Sequence, residues 1–361
     1  MPPASPSRPT KAFRPWLNAE HYDSMIAGFN EYEPSHWLPT IAFKVAGMMF
    51  WPWFWITVFS VATVVALETL PEHEPMSLSA HIILGGALSF LVVMRTDASM
   101  NRWWEARCAW QTISDCVLCI GAQTAPAMQS EALSELVLMQ LMGFTMSCKA
   151  WLRETTVPKV EVGPRMDWQY IRRLNASHNP PVTALKALSH TIRNNMPAHL
   201  GAAIYDETSE QIRVINEAVG NCAKIRSTPM VFGYVATLRS CLILWLVTLA
   251  VPLAGEFGRI AVPVLSGLAF LYLTVEQTAV EIEQPFGDDA NDLPMEKYIV
   301  DLQTTLLEMC PGFQGILIDE NGDSDGGFKE EGTSEEALVR RLAALEAVMK
   351  SSPTHARLYQ V

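Results

Sequence analysis

Six carboxylates and an asparagine crowd one short stretch: Glu276, Glu281, Glu283, Asp288, Asp289, Asn291 and Asp292. Oxygen ligands at this density suit a hard cation such as calcium, which takes about 6–8 of them at about 2.4 Å. The same residues suit three other roles: a helix cap, charges beside an ion path, or a solvated edge. Their spacing does not match an EF-hand loop. Glu276 and Glu283 stand seven apart, so on a helix they share a face. That face is a counter-charge surface for Arg95, Arg102 or Arg239. Asn291 and Asp292 come just before a helix expected near Leu293, with Pro294 and Glu296 suited to its first turn.

The second charged constellation is basic. Arg95 and Arg102 are seven apart, and Arg107 follows in Arg102-Trp103-Trp104-Glu105-Ala106-Arg107. On a helix Trp103, Arg107 and Trp110 share a face, so Arg107 can stack on Trp103, worth roughly 0.5–2 kcal/mol. A structural girdle of ion pairs and stacking is favoured here over direct ion contact. His81 sits in an apolar run and reads as a packed residue, with a pH-sensitive group near a pore as the alternative. Cys116 and Cys119 have CxxC spacing but no second pair, and structural zinc needs four ligands. Glu33 and His36 have Glu-x-x-His spacing once only, outside the apolar runs. No phosphate-binding glycine loop or nucleophile elbow is present, so nothing supports catalysis.

These groups must be positioned by helices that enter a membrane. The charged fraction is 18%, against roughly 25% for a typical soluble domain. Residues 45–67 are uncharged for 23 positions, enough to cross ~30 Å of hydrocarbon. Further spans are expected at about 76–94, 229–254 and 260–280, the last two joined by a tight turn at 255–258. Arg239 lies within the third span, so it should face protein or water. Lys and Arg flank the first span's start and the second span's end, whereas the connection between those spans holds Glu68, Glu72 and Glu74. Both termini are therefore expected on the cytoplasmic-type side. The net charge of −12 excludes nucleic acid as a partner. Seven cysteines without a dense framework read as packed thiols.

The region between the second and third spans is helical in pattern and too polar to cross. Residues 96–120 lack Gly and Pro, so the second span is expected to run on out of the membrane as one helix. Residues 133–151 read as a buried helix ending at Lys149, and 182–194 as another beyond Pro180-Pro181. Residues 1–36 form an N-terminal arm, partly disordered, basic and Pro/Ser-rich at its start, with no hydrophobic secretory signal. Residues 313–361 form an acidic flexible tail. Within it Thr333 and Glu336 have capping-box spacing ahead of a short amphipathic helix.

Taken together, the ordered blocks resemble the bestrophin family, in its bacterial, algal and plant branch. The blocks are Leu84-Gly85 with residues 89–95, the Arg102–Arg107 run, Ile225 to Pro229 with Tyr234, and residues 281–294. The resemblance spans about residues 37–312, which would be the channel domain. It implies an all-α multi-pass membrane protein assembled as a homopentamer, each subunit giving four transmembrane helices and a cytosolic helical bundle. It implies a central pore for chloride or bicarbonate with a neck at Leu78, Ile82 and Gly86, and Ile83, Ala87 and Phe90 as neighbouring candidates. The four-residue spacing fits one helix face. Gly86 departs from the aromatic neck of animal members and would leave a wider ring. The basic girdle of Arg95, Arg102 and Arg107 favours anions, while the carboxylate-rich inner surface argues for cations. No cofactor is required. Calcium is the ion the resemblance allows, with Asp289 and Asp292 matching the key side chains of the animal calcium clasp and Asp288 and Asn291 beside them. Ala290 interrupts the run that is acidic in animal members. The membrane itself, plasma or thylakoid, is left open.

Overall fold

The computed structural model describes residues 16–26, 37–69, 77–197, 201–289 and 291–310. Among them the chain is helical throughout, and its β-pairing is one isolated bridge between Leu17 and Val162. The α-helices in chain order are α1 (Ala19–Ile26), α2 (Trp37–Thr69), α3 (Ser79–Thr124), α4 (Glu131–Leu152), α5 (Trp168–Asn175), α6 (Pro180–Asn195), α7 (Gly201–Ser227), α8 (Phe232–Phe257), α9 (Ala261–Ile282) and α10 (Met295–Glu308). Three stretches are long and apolar enough to cross a membrane: Phe50–Thr69, Ser79–Thr124 and Phe232–Ile282. The last holds two helices, α8 and α9, folded back through a short turn at Gly258–Ile260. Gly258 takes φ +57°, a left-handed conformation that glycine adopts without a Cβ penalty.

Two hydrophobic cores divide the molecule. One joins Ile56 and Val64 of α2, Leu88 of α3, Leu242, Trp245 and Leu249 of α8, and Leu265 and Leu273 of α9. The other is larger and joins Trp110 and Ile113 of α3 to Leu138, Phe144 and Met146 of α4, Leu188 of α6, Ile215 of α7 and Ile299 of α10. Helix α3 belongs to both. Its 46 residues extend about 69 Å, roughly twice the hydrocarbon thickness. No Gly or Pro interrupts residues 96–120, and the helix does run on as that absence predicts.

Local contacts fix how α3 meets its neighbours. Gly85 lets α8 approach closely, since a Cβ there would lie 2.7 Å from Cζ2 of Trp245. The Trp245 indole then donates to the His81 carbonyl at 3.0 Å. His81 is packed against α8, with Nε2 3.2 Å from the Thr248 hydroxyl. Pro52 lies inside α2 without ending it. Helix α4 is buried along almost its whole length and capped by the Ser130 hydroxyl, which accepts from the Leu133 N–H. Within the expected N-terminal arm, Trp16, Leu17 and Tyr22 are buried in the larger core. The amphipathic helix expected after Thr333 and the Glu33–His36 pair lie outside the described residues.

Candidate functional site

The apolar end of α3 has two opposite faces. His81, Gly85, Leu88, Val92, Arg95 and Ser99 are buried against α8 and α9. On the other side Ile82 is 64% exposed and Phe90 64% exposed, and nothing lies within 4 Å of a Cβ placed on Gly86. Ile83 is also strongly exposed. Leu78 caps the start of the helix and packs partly against the smaller core. Ile82, Gly86 and Phe90 therefore form one open apolar line along α3.

The basic girdle is engaged within the subunit. Arg95 is 1% exposed and lies 3.8 Å from Glu276 and 3.6 Å from Glu283. Glu276, fully buried, also meets Arg239 at 3.0 Å. Glu283 accepts from the Met230 N–H at 2.9 Å. Four charges of alternating sign thus tie α3, α8 and α9 together. Arg102 does not join them. Its guanidinium donates to the carbonyls of Ile225, Thr228 and Glu283, closing the junctions before α8 and after α9. Arg107 corrects the expected stacking: its guanidinium lies 4.5 Å from the ring centre of Tyr298 on α10, not over Trp103. Trp103 instead donates its indole N–H to the Asn291 carbonyl at 3.1 Å. The physical reason is that α10 folds back beside α3 and offers a ring from outside the helix.

The acidic loop is a latch between these helices. Asp288 pairs at 2.9 Å with Arg153, the residue that caps the end of α4, and Arg153 also donates to the Phe286 carbonyl. Asn291 donates to Glu281 at 2.6 Å. The expected cap is not formed. Helix α10 begins at Met295 with Pro294 as its N-cap and no side-chain cap bond. Asp292 turns back instead and accepts from the Asp289 N–H at 2.7 Å. Among the described residues no three His, Cys, Asp or Glu side chains gather as a metal-holding group. Arg153 holds Asp288, and Asp292 gives one oxygen to its own loop while its Oδ1 is buried without a partner, so the loop presents one unengaged carboxylate oxygen and not a formed calcium cage.

Asp292 is 5% exposed, and burial pushes its carboxyl up to about 7, the nearby Asp289 and Asp288 adding to the rise and the Asp289 N–H and Arg153 opposing it. A proton held more tightly in the folded state stabilises it most below the unfolded value of about 4. That contribution should fade as pH rises from about 4 through about 7. Asp292→Asn, which keeps an acceptor for the Asp289 N–H, should remove this part of the pH dependence. The effect should be on the order of 1–2 kcal/mol, allowing for solvent screening. Thermal unfolding in detergent across that range reads it; identical pH profiles for the two proteins would contradict it.

One buried network escaped the sequence reading. Lys149 of α4 lies 2.8 Å from Glu161 and 3.5 Å from Glu296, and Arg153 grips Glu296 with two nitrogens. Tyr22 of α1 donates to Glu161 at 2.7 Å. Burial, then the Glu161 carboxylate, hold the Tyr22 hydroxyl well above its ordinary value. Burial pushes the Glu296 carboxyl up, but the Arg153 hydrogen bonds and the Lys149 charge outweigh it and leave it below its ordinary value. The available signal was a lysine closing an otherwise apolar helix.

An all-α chain whose long apolar helices continue into a charged helical bundle is an integral membrane protein. This chain belongs to the family described as Bacterial/Fungal Bestrophin protein, which matches residues 33–308. It is a member of a channel family, not an enzyme. A Synechocystis protein named a voltage-dependent anion channel-forming protein is 26% identical over 253 residues, covering 67% of this chain and 78% of the relative. A Ralstonia nicotianae protein of the same name is 26% identical over 239 residues, covering 65% and 78%. A solved bacterial bestrophin homologue from Klebsiella pneumoniae superposes with a TM-score of 0.65 at 22% identity, covering 73% of this chain and 98% of that one. That likeness establishes the shared fold.

Proposed function

We propose that this chain forms a homopentameric anion channel, conducting chloride or bicarbonate through a central pore lined by α3. Helices α2, α8, α9 and the first half of α3 are the four spans of each subunit, and both termini face the cytoplasmic side. The observation that carries this reading is the open apolar line of Ile82, Gly86 and Phe90, set opposite a face fully packed within its own subunit. An apolar constriction of this kind gates by dewetting and holds ions weakly enough to release them. The names of the curated relatives support an anion as the permeant species.

Purified protein in planar bilayers should carry chloride or bicarbonate current, and Ile82→Ala should alter gating or rectification. A reversal potential that follows only sodium or potassium would sink the anion assignment. A monomeric mass in detergent with no conductance would favour a membrane scaffold over a channel. The same recordings address calcium. A loop latched by Arg153 and its own backbone predicts currents indifferent to chelation. Chelation-dependent opening that Asp289→Ala abolishes would assign the ion to the loop.

A further inference from the structure

The line of open positions on α3 does not end at the neck. No proline interrupts this helix, so its phase carries forward at about 100° per residue. Taking Ile82 as origin, Gly86 comes at about 40°, Phe90 at about 80°, Val93 at about 20° and Asp97 at about 60°. Val93 and Asp97 are exposed, as are Met100, Trp104 and Cys108 further along. Arg95 lies about 140° and Arg102 about 160° round the other way. Both are spent inside the subunit, and Arg107 lies against Tyr298. The first charge on the open line below the neck is therefore an acid. It stands about 10 Å beyond Phe90, at the inner edge of the hydrocarbon thickness. The partner the structure gives the Asp97 carboxylate is the uncharged Asn101 amide, at 3.1 Å.

We propose that Asp97 sets the anion-to-cation permeability ratio of this channel: on the pore-facing line of α3 it presents a carboxylate at the inner mouth, which draws cations in and opposes anions. The inference rests on the channel reading above, because it needs α3 of several copies to surround one path. Repeated in each copy, Asp97 makes a carboxylate ring, and rings of Asp or Glu bias a pore toward cations. Arg95 and Arg102 do not offset it, since they lie round the other side of α3, and Arg107, whose phase falls near that of Ile82, lies against Tyr298 about 15 Å beyond Asp97. The arrangement reverses what the sequence pattern suggests, which is that basic residues line the inner end of the neck.

The open line meets a second acid at Asp115, also exposed and bonded to Gln111. It lies about 27 Å beyond Asp97, several screening lengths of about 8 Å away at physiological salt. Asp115 is thus a control of the same charge on the same face. Reversal potentials of the reconstituted full-length channel in sodium chloride gradients test the assignment. Asp97→Asn should raise the chloride-to-sodium permeability ratio about ten-fold, the lower end of the range over which a focused field alters local ion concentration. Asp97→Lys should raise it further, and Asp115→Asn should leave it unchanged. In a Cys108→Ser background, Asp97→Cys should react from the inner side with a water-soluble, positively charged thiol reagent and shift the ratio as it does so, while Cys108→Ser alone should not. An unchanged ratio in Asp97→Asn and Asp97→Lys, with current intact, overturns the role of Asp97 and leaves the channel standing. An equal shift in Asp115→Asn overturns it too, by assigning the effect to general surface charge. A wild-type protein that passes no current overturns the channel reading itself, and the inference with it.

Discussion

Glu296→Ala should unfold the polar bundle at temperatures where the wild type is intact. Glu296 is fully buried and is the shared counter-charge of Lys149 and Arg153, which are themselves almost inaccessible. Its removal leaves Arg153 with Asp288, which is mostly exposed, and Lys149 with Glu161 alone. Breaking a buried pair from one side costs about 3–5 kcal/mol, because the remaining charge stays desolvated without its partner. Glu296→Gln keeps the shape and one acceptor, so its cost should be smaller. Because the network joins α1, α4, α10 and the acidic loop, the loss should spread. Tyr22 and Asp288 would lose their anchored partners, and limited proteolysis should open the chain near residues 16–26 and 283–294. Thermal unfolding of the detergent-solubilised protein measures the effect. A destabilisation of Glu296→Ala below about 1 kcal/mol, the range of exposed ion pairs, would show that solvent reaches this network.

Arg95→Ala should be the most damaging single change in the apolar half. Arg95 is the point where α3 is bound electrostatically to α9, and Glu276 opposite it is fully buried. The nitrogen–oxygen separations of 3.6–3.8 Å exceed hydrogen-bond length, so the attraction is charge on charge. Without Arg95, Glu276 keeps only Arg239, which is half exposed. Glu283 keeps the Met230 N–H. The expected cost is roughly 3 kcal/mol or more. Replacing both partners, as in Arg95→Met with Glu276→Met, should recover much of it, since apolar replacement of a whole buried pair is often neutral or stabilising. The readout is the melting temperature of the detergent-solubilised assembly together with its yield. A double variant no more stable than Arg95→Ala would mean that the pair contributes specific geometry beyond charge balance. Because Arg95 faces away from the open line of α3, its loss should also disturb stability before it disturbs ion selectivity, the reverse of what is expected for Asp97.

Much of the architecture can be read from one-dimensional pattern because hydropathy and helix continuity are local properties. The long uncharged runs fall on helices long and apolar enough to cross a membrane, and the absence of Gly and Pro over residues 96–120 correctly extends α3 into the bundle. The buried helix ending near Lys149 and the helix after Pro180 are visible in the same way. The seven-residue spacing of Glu276 and Glu283 places both carboxylates towards Arg95. Partner choice is different in kind. Arg107 and Trp103 share a helix face, yet Arg107 meets Tyr298, far along the chain, because packing brings α10 beside α3. Asp292 stands where a cap belongs, yet it closes its own loop, because residues 285–293 fold back through the Leu293 N–H to the Pro285 carbonyl.

The membrane helices, the acidic loop and the family were thus written in the order and polarity of the residues alone. Which charges are buried, and which one faces the open line of α3, followed from packing. A side chain's direction depends on the rotation of its helix against its neighbours, and that rotation is set by contacts such as Gly85 with Trp245, between residues 160 positions apart. Arg95, Arg102 and Arg107 look alike in sequence. Only the packed structure buries Arg95, ties Arg102 to backbone carbonyls, lays Arg107 against Tyr298 and leaves Asp97 exposed.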